Sequence, residues 1–180
     1  MAYRNGVYAA FDGQGKVNPT ESDIRYFQLL KAWAEAKGED FQYINSHDKT
    51  RAVRDSSKKE TLQRVLRERL SKSKVMFIIL SNETSYDRGF LNYEIEKALD
   101  LYKLPLIIAY PQISDRSIND QWATLEKRWP KALKQRLKDP KRDDLSCLHI
   151  HFKKELIKRS LNHMTVHDKK YIGARLCYEN

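Results

Sequence analysis

Val75-Met76-Phe77-Ile78-Ile79-Leu80 is the longest apolar run in the chain, and Ser81-Asn82-Glu83-Thr84 follows it at once. A run this short, closed by turn-forming residues, reads as a strand covered on both faces. Such strands belong to parallel sheets, because crossover helices coat both sides of them. The text on either side agrees. Upstream, Ser57-x-x-Glu60 is a capping box that opens a helix with Leu62, Val65, Leu66 and Leu70 on its buried stripe. Downstream, Leu91, Ile95, Ala98, Leu99 and Tyr102 recur at helical spacing over residues 91–102.

Further out the same alternation continues. Residues 7–11 read as a strand that ends in the turn Asp12-Gly13-Gln14-Gly15. A helix follows Pro19-Thr20, with Ile24, Phe27, Leu30 and Ala34 on one face and Gly38 just past its end. Residues 41–44 read as a second strand, and residues 105–110 as a fourth, with Pro105 tolerated at its first position. Residues 124–137 are helical apart from an interruption at Trp129-Pro130, residues 147–152 are the last strand and residues 153–161 the last helix. Five strand–helix alternations with right-handed crossovers predict a flavodoxin-like α/β fold. This is a three-layer sandwich around a five-stranded parallel sheet of order 2-1-3-4-5, with helices on both faces. Residues 1–161 make up this domain. Residues 162–180 show no clear period and read as a tail packed on the domain or extending from it, with Tyr171 and Tyr178 as anchors.

Composition bounds the remaining options. A length of 180 residues fits one domain, and 41% hydrophobic residues, with three Trp and ten Tyr, are enough for a core. No run approaches the ~18–20 apolar residues of a membrane span. The opening Met1-Ala2-Tyr3-Arg4-Asn5-Gly6 has no signal-peptide core, and Ala2 does not accept myristate. Cys147 and Cys177 lack metal spacing. A soluble cytoplasmic protein with no membrane partner is expected. The net charge of +10 is concentrated in residues 58–74 and 126–142. Each stretch is read as a solvated helix face, the alternative being a surface for phosphates; nucleic acid is therefore a possible partner but not the favoured one.

In doubly wound sheets ligands bind beyond the carboxyl ends of the strands. That directs attention to the loops at residues 12–18, 45–56, 81–89 and 110–121. Glu94 stands in the first turn of the helix after the central strand, about 80° from the middle of the buried stripe. It is expected at the edge of the core, reaching into the cleft without being enclosed; the plainer role is an acid favoured by the helix dipole. The turn at 12–15 is neither a Walker loop nor a dinucleotide fingerprint, because Asn18 replaces the third glycine. His149 and His151 share one face of the last strand and read as the polar face of an edge strand rather than as a metal pair. His163 and His167 read as surface residues, and Cys147 as a core thiol.

Residues 75–99 resemble the signature of TIR-like domains, in which an aromatic residue precedes the catalytic glutamate by four positions; Phe90 and Glu94 occupy those places. The chain is similar more narrowly to the prokaryotic TIR-like group typified by the Thoeris anti-phage protein ThsB. The matching pieces are Ala10-Phe11-Asp12-Gly13, His47-Asp48, Ser56-Ser57, Leu66-x-x-Arg69 and Ser81-x-x-Thr84, spread over residues 8–111. Two features depart from the family. Phe90 stands where TIR enzymes usually carry Trp, and Asp87-Arg88-Gly89 replaces a Ser-rich approach, so that Arg88 is placed to pair with Glu94.

The resemblance implies cleavage of the nicotinamide–ribose bond of NAD, which is substrate rather than resident cofactor, with Glu94 as the catalytic carboxylate. Nicotinamide leaves as a neutral pyridine, so the carboxylate has only to stabilise the oxocarbenium character of the ribose or hold its hydroxyls. Capture by water yields ADP-ribose, and capture by a group of the same molecule yields a cyclic product. Supporting roles follow with their plainer alternatives. Phe11 packs on nicotinamide or in the core, and Asp12 holds a ribose hydroxyl or caps its turn. His47 lines the substrate pocket or lies on the surface. Arg51, with Arg54, meets the pyrophosphate or stays solvated. Self-association and a downstream effector that reads the nucleotide product are also implied. Two other functions compete with this one: a non-catalytic TIR-like adaptor using the basic helix at 126–142, and an N-ribosyl transferase akin to the nucleoside deoxyribosyltransferases.

Overall fold

The computed structural model describes residues 4–12, 20, 22–36, 59–82, 84, 90–168 and 171–178. Five strands form one parallel sheet in the order β1 (Gly6–Phe11), β2 (Ser73–Ile79), β3 (Leu106–Tyr110), β4 (Ser146–His151) and β5 (Gly173–Cys177). The register runs Tyr8 to Met76, Met76 to Leu106, Ile107 to Leu148 and Leu148 to Leu176. β2 therefore lies inside the sheet, and all of it except Lys74 is buried, as its apolar text requires. Pro105 immediately precedes β3, where it needs no N–H of its own, and its carbonyl accepts from the Met76 amide at 3.0 Å.

Strand alternation sends side chains into two helix layers. Val7, Ala9, Phe11, Val75, Phe77 and Ile79 pack with α1 (Ile24–Glu35) and α6 (Lys154–His163). Tyr8, Ala10, Met76, Ile78 and Leu80 pack against α2 (Lys59–Ser71), α3 (Leu91–Glu96), α4 (Trp122–Glu126) and α5 (Lys131–Leu137). The result is the expected flavodoxin-like three-layer α/β architecture. On α2, Leu62, Leu66 and Leu70 are buried at a spacing of four, each worth about 1.5–3 kcal/mol of transfer free energy. The expected break at Trp129-Pro130 separates α4 from α5: Pro130 takes ψ 152°, and its ring cannot continue a helix. The side-chain oxygen of Asn92 on α3 accepts from the Ala132 amide at 2.7 Å, and so satisfies one of the open donors at the start of α5. α3 continues as a π turn, Lys97–Leu101.

Two features differ from the sequence reading. β5 lies in the segment read as a patternless tail, and it covers the flank of β4. Its burial is intermediate at four of its five positions, so no alternation marks it. The predicted strand at 41–44 lies outside the described residues, as do Gly38 and the Ser57 half of the capping box; the four other expected strands keep their predicted neighbours. With β5 in place, β4 is not an edge. His149 is 0% and His151 5% exposed, which corrects the expected polar edge-strand face.

Candidate functional site

Glu94 is built into the first turn of α3, where its amide donates to the Phe90 carbonyl at 2.8 Å. Its carboxylate meets a strand rather than open solvent. Tyr8 projects from β1 into the same layer, and its hydroxyl donates to Glu94 Oε1 at 2.8 Å. Tyr8 is 0% and Glu94 4% exposed. Burial, and then the neighbouring Glu94 charge, hold the Tyr8 phenol well above its ordinary pKa, while Arg69 on α2 opposes the shift. The phenol is thus a proton donor throughout the working pH range. The expectation that Glu94 reaches out without being enclosed is corrected. α5 packs alongside α3 and β1 backs it, while α2 packs on the π turn that follows, so the edges of its stripe are covered too.

The other candidates separate. Phe11 lies on the opposite face of the sheet from Tyr8 and stacks on Phe27, with ring centroids 4.9 Å apart and planes at 26°. Asp12, just past β1, is 4% exposed. Phe90 is half-buried and meets Tyr93 edge-to-face at 6.4 Å. His47, Arg51, Arg54 and Arg88 lie outside the described residues, as does the turn at 13–15.

A buried polar set, of which the sequence reading singled out only Ser81 and Thr84, occupies the carboxyl end of β2. Thr84 Oγ1 donates to Asp23 Oδ2 at 2.7 Å, and Ser81 Oγ lies 3.4 Å from Thr84 Oγ1. Nearby, Arg128 Nη1 donates to the carbonyls of Leu80 at 3.2 Å and Pro111 at 2.9 Å. Burial lowers the Arg128 pKa, while Tyr110 and Asp23 pull it back. Ser81-x-x-Thr84 therefore ties the loop before α3 to the start of α1. Arg128 was hidden in a basic stretch read as solvated, and no local pattern joins Asp23 to Thr84.

A second sealed group sits under β5. Trp129 Nε1 donates to Tyr110 Oη at 2.9 Å, which leaves the phenol proton for His149 Nδ1, also at 2.9 Å. The imidazole proton is then on Nε2, 3.2 Å from the Ala174 carbonyl. Burial lowers the His149 pKa to about 4. Burial likewise raises the Cys147 thiol, as expected of a core cysteine. His163 and His167 are exposed, and His167 Nε2 lies 2.7 Å from the Arg4 carbonyl. Among the described residues no three metal-ligating side chains cluster.

A cavity of about 380 Å³, lined by Arg4, Leu99, Tyr102, Leu145, Val166 and Ile172 among others, opens at the amino-terminal ends of β3 and β4. Glu94 is at the other end of α3 from it. The Tyr8–Glu94 pair therefore lies apart from this cavity. In a comparison with protein families, residues 8–116 match the family described as Thoeris protein ThsB, TIR-like domain. The matched span contains Phe11, Asp12, His47, Arg51, Phe90 and Glu94.

Proposed function

The chain belongs to the Thoeris ThsB family of TIR-like domains, and on that basis we propose that it cleaves the nicotinamide–ribose bond of NAD in anti-phage defence. The observation that carries the proposal is the placement of Glu94. It lies in the first turn of the helix after β2, four residues beyond Phe90, with its carboxylate already oriented by a hydrogen bond. As the C–N bond breaks, its electron pair leaves with nicotinamide and positive charge grows on the ribose. A fixed carboxylate in a poorly hydrated site stabilises that charge without reorganising. Water then adds to the anomeric carbon and loses a proton, giving ADP-ribose, or a nucleophile of the same molecule closes a ring. The site is completed by self-association, and an effector reads the product.

The near-complete burial of Glu94 favours one other reading, a non-catalytic TIR-like adaptor in which the Tyr8–Glu94 bond only ties α3 to β1. Incubating the purified protein with NAD, with and without extract of infected cells, and analysing the products by mass decides between them. Glu94→Gln is expected to lower turnover at least about 100-fold, the scale of losing one preorganised electrostatic group. No turnover of NAD by the wild-type protein with or without the extract, or protection of cells that persists in Glu94→Gln, supports the adaptor, whereas wild-type turnover in that variant overturns the role of Glu94.

A further inference from the structure

The hydroxyl of Tyr8 is not needed for packing. Its neighbours in this layer include Ala10, Leu66, Met76 and Ile95, and phenylalanine would fill the same volume among them. A phenol in such surroundings requires a partner for its proton, since an unmet buried hydroxyl is costly. That partner is Glu94 Oε1, 86 positions away in the chain. We infer that Tyr8 is a positioning residue for Glu94: by holding Oε1 it fixes the rotation of the carboxylate that the reaction uses. This rests on the reading of Glu94 as the catalytic carboxylate. A hydrogen bond donated to a carboxylate favours its ionised form. Among the described residues, the charged and titratable groups that act on Tyr8 besides Glu94 include Arg69 from α2 and Tyr93 from α3 itself. On α5, Arg136 is bound to Asp100 and lies 3.9 Å from Glu96, while Asp12 stands four residues beyond Tyr8 at the end of β1.

The test compares Tyr8→Phe, 4-aminophenylalanine at position 8 and Glu94→Gln in the full chain with NAD as substrate. Tyr8→Phe is expected to lower kcat about tenfold or more with KM within about threefold. Its acidic limb should move up by about one to two pH units, the size of one hydrogen bond to a charged group. The amino variant, which keeps a donor in the same shape, should restore both. A merely structural tyrosine would lower the melting temperature and leave the pH profile alone. An unchanged kcat and pH profile in Tyr8→Phe, with Glu94→Gln inactive, overturns the role of Tyr8 and leaves that of Glu94 standing. Wild-type turnover in Glu94→Gln overturns both. Should Tyr8→Phe unfold, a folded amino variant decides by the same measurements: wild-type kcat supports the role and lost kcat overturns it. A ¹³C titration of the Glu94 carboxyl reads the pair without turnover, with an upward shift in Tyr8→Phe as support and no shift as refutation.

Discussion

His149 shows what burial does to a single titratable side chain. Trp122 and Trp129 crowd its ring at 4.7 and 5.7 Å, and the neutral imidazole accepts from Tyr110 at Nδ1 while Nε2 faces the Ala174 carbonyl. Its pKa falls from an ordinary 6.5 to about 4, so between those values the unfolded chain takes up a proton that the native one refuses. Stability therefore falls as pH drops from about 6.5 to 4, by up to about 3 kcal/mol, and levels off below. Urea unfolding at stepped pH should show that slope, and His149→Phe should flatten it. The ion-paired carboxylates lie lower on the scale. Asp100 is depressed first by its hydrogen bond from Arg136, and Asp144 by that from Arg142, so what they contribute is lost only at more acidic pH. Glu94 and Tyr8 belong to the same class of buried groups. In each pair one partner supplies what the other lost in leaving water.

At the scale of elements, β5 has the largest consequence. The Ala174 carbonyl accepts a hydrogen bond from His149 Nε2, Arg175 stacks over Trp122 at 4.1 Å, and Tyr178 lies beneath Arg159 at 4.2 Å. These three contacts attach the strand to β4, α4 and α6. Ending the chain after Asp168 should uncover the flank of β4 and leave the imidazole donor unmet. Several kcal/mol are at stake, so the melting temperature is expected to drop by about 10 °C, with aggregation through the bared edge visible by light scattering. A truncated chain that melts like the full one would show that β5 is a passive cover. The π turn at Lys97–Leu101 is held differently, by Arg136 and Arg142 on Asp100. Asp100 is 43% exposed, so this clamp sets direction more than stability.

Across the whole molecule, part of the cationic charge gathered at 126–142 is less available than the sequence suggests. In the basic stretch at 126–142, Lys134 and Lys138 both pair with Glu126, while Arg136 and Arg142 pair with Asp100 and Arg142 also with Asp144. Arg128 is spent inside the fold on two carbonyls. Cations paired or buried in this way contribute little to the release of counterions from nucleic acid. Binding to duplex DNA at 0.15 M salt is expected to be no tighter than about 10⁻⁴ M, with a shallow salt slope; a steep log–log slope in fluorescence titrations would refute this. Among the described residues no helix is long and apolar enough to cross a membrane.

Much of the architecture was legible because burial is periodic along one chain. The apolar run at 75–80, the stripe of Leu62, Leu66 and Leu70, and the spacing of Phe90 and Glu94 each carry their meaning within a few residues. Tertiary structure alone decided that Glu94 is enclosed, that Tyr8 is its partner, that Asp23 holds Thr84, and that a half-buried Gly173–Cys177 is a strand. A wheel gives the direction of a side chain from its own helix but not what stands opposite it. A hydrogen bond between residues far apart in sequence leaves no local period, because its partners are brought together by the packing of other residues.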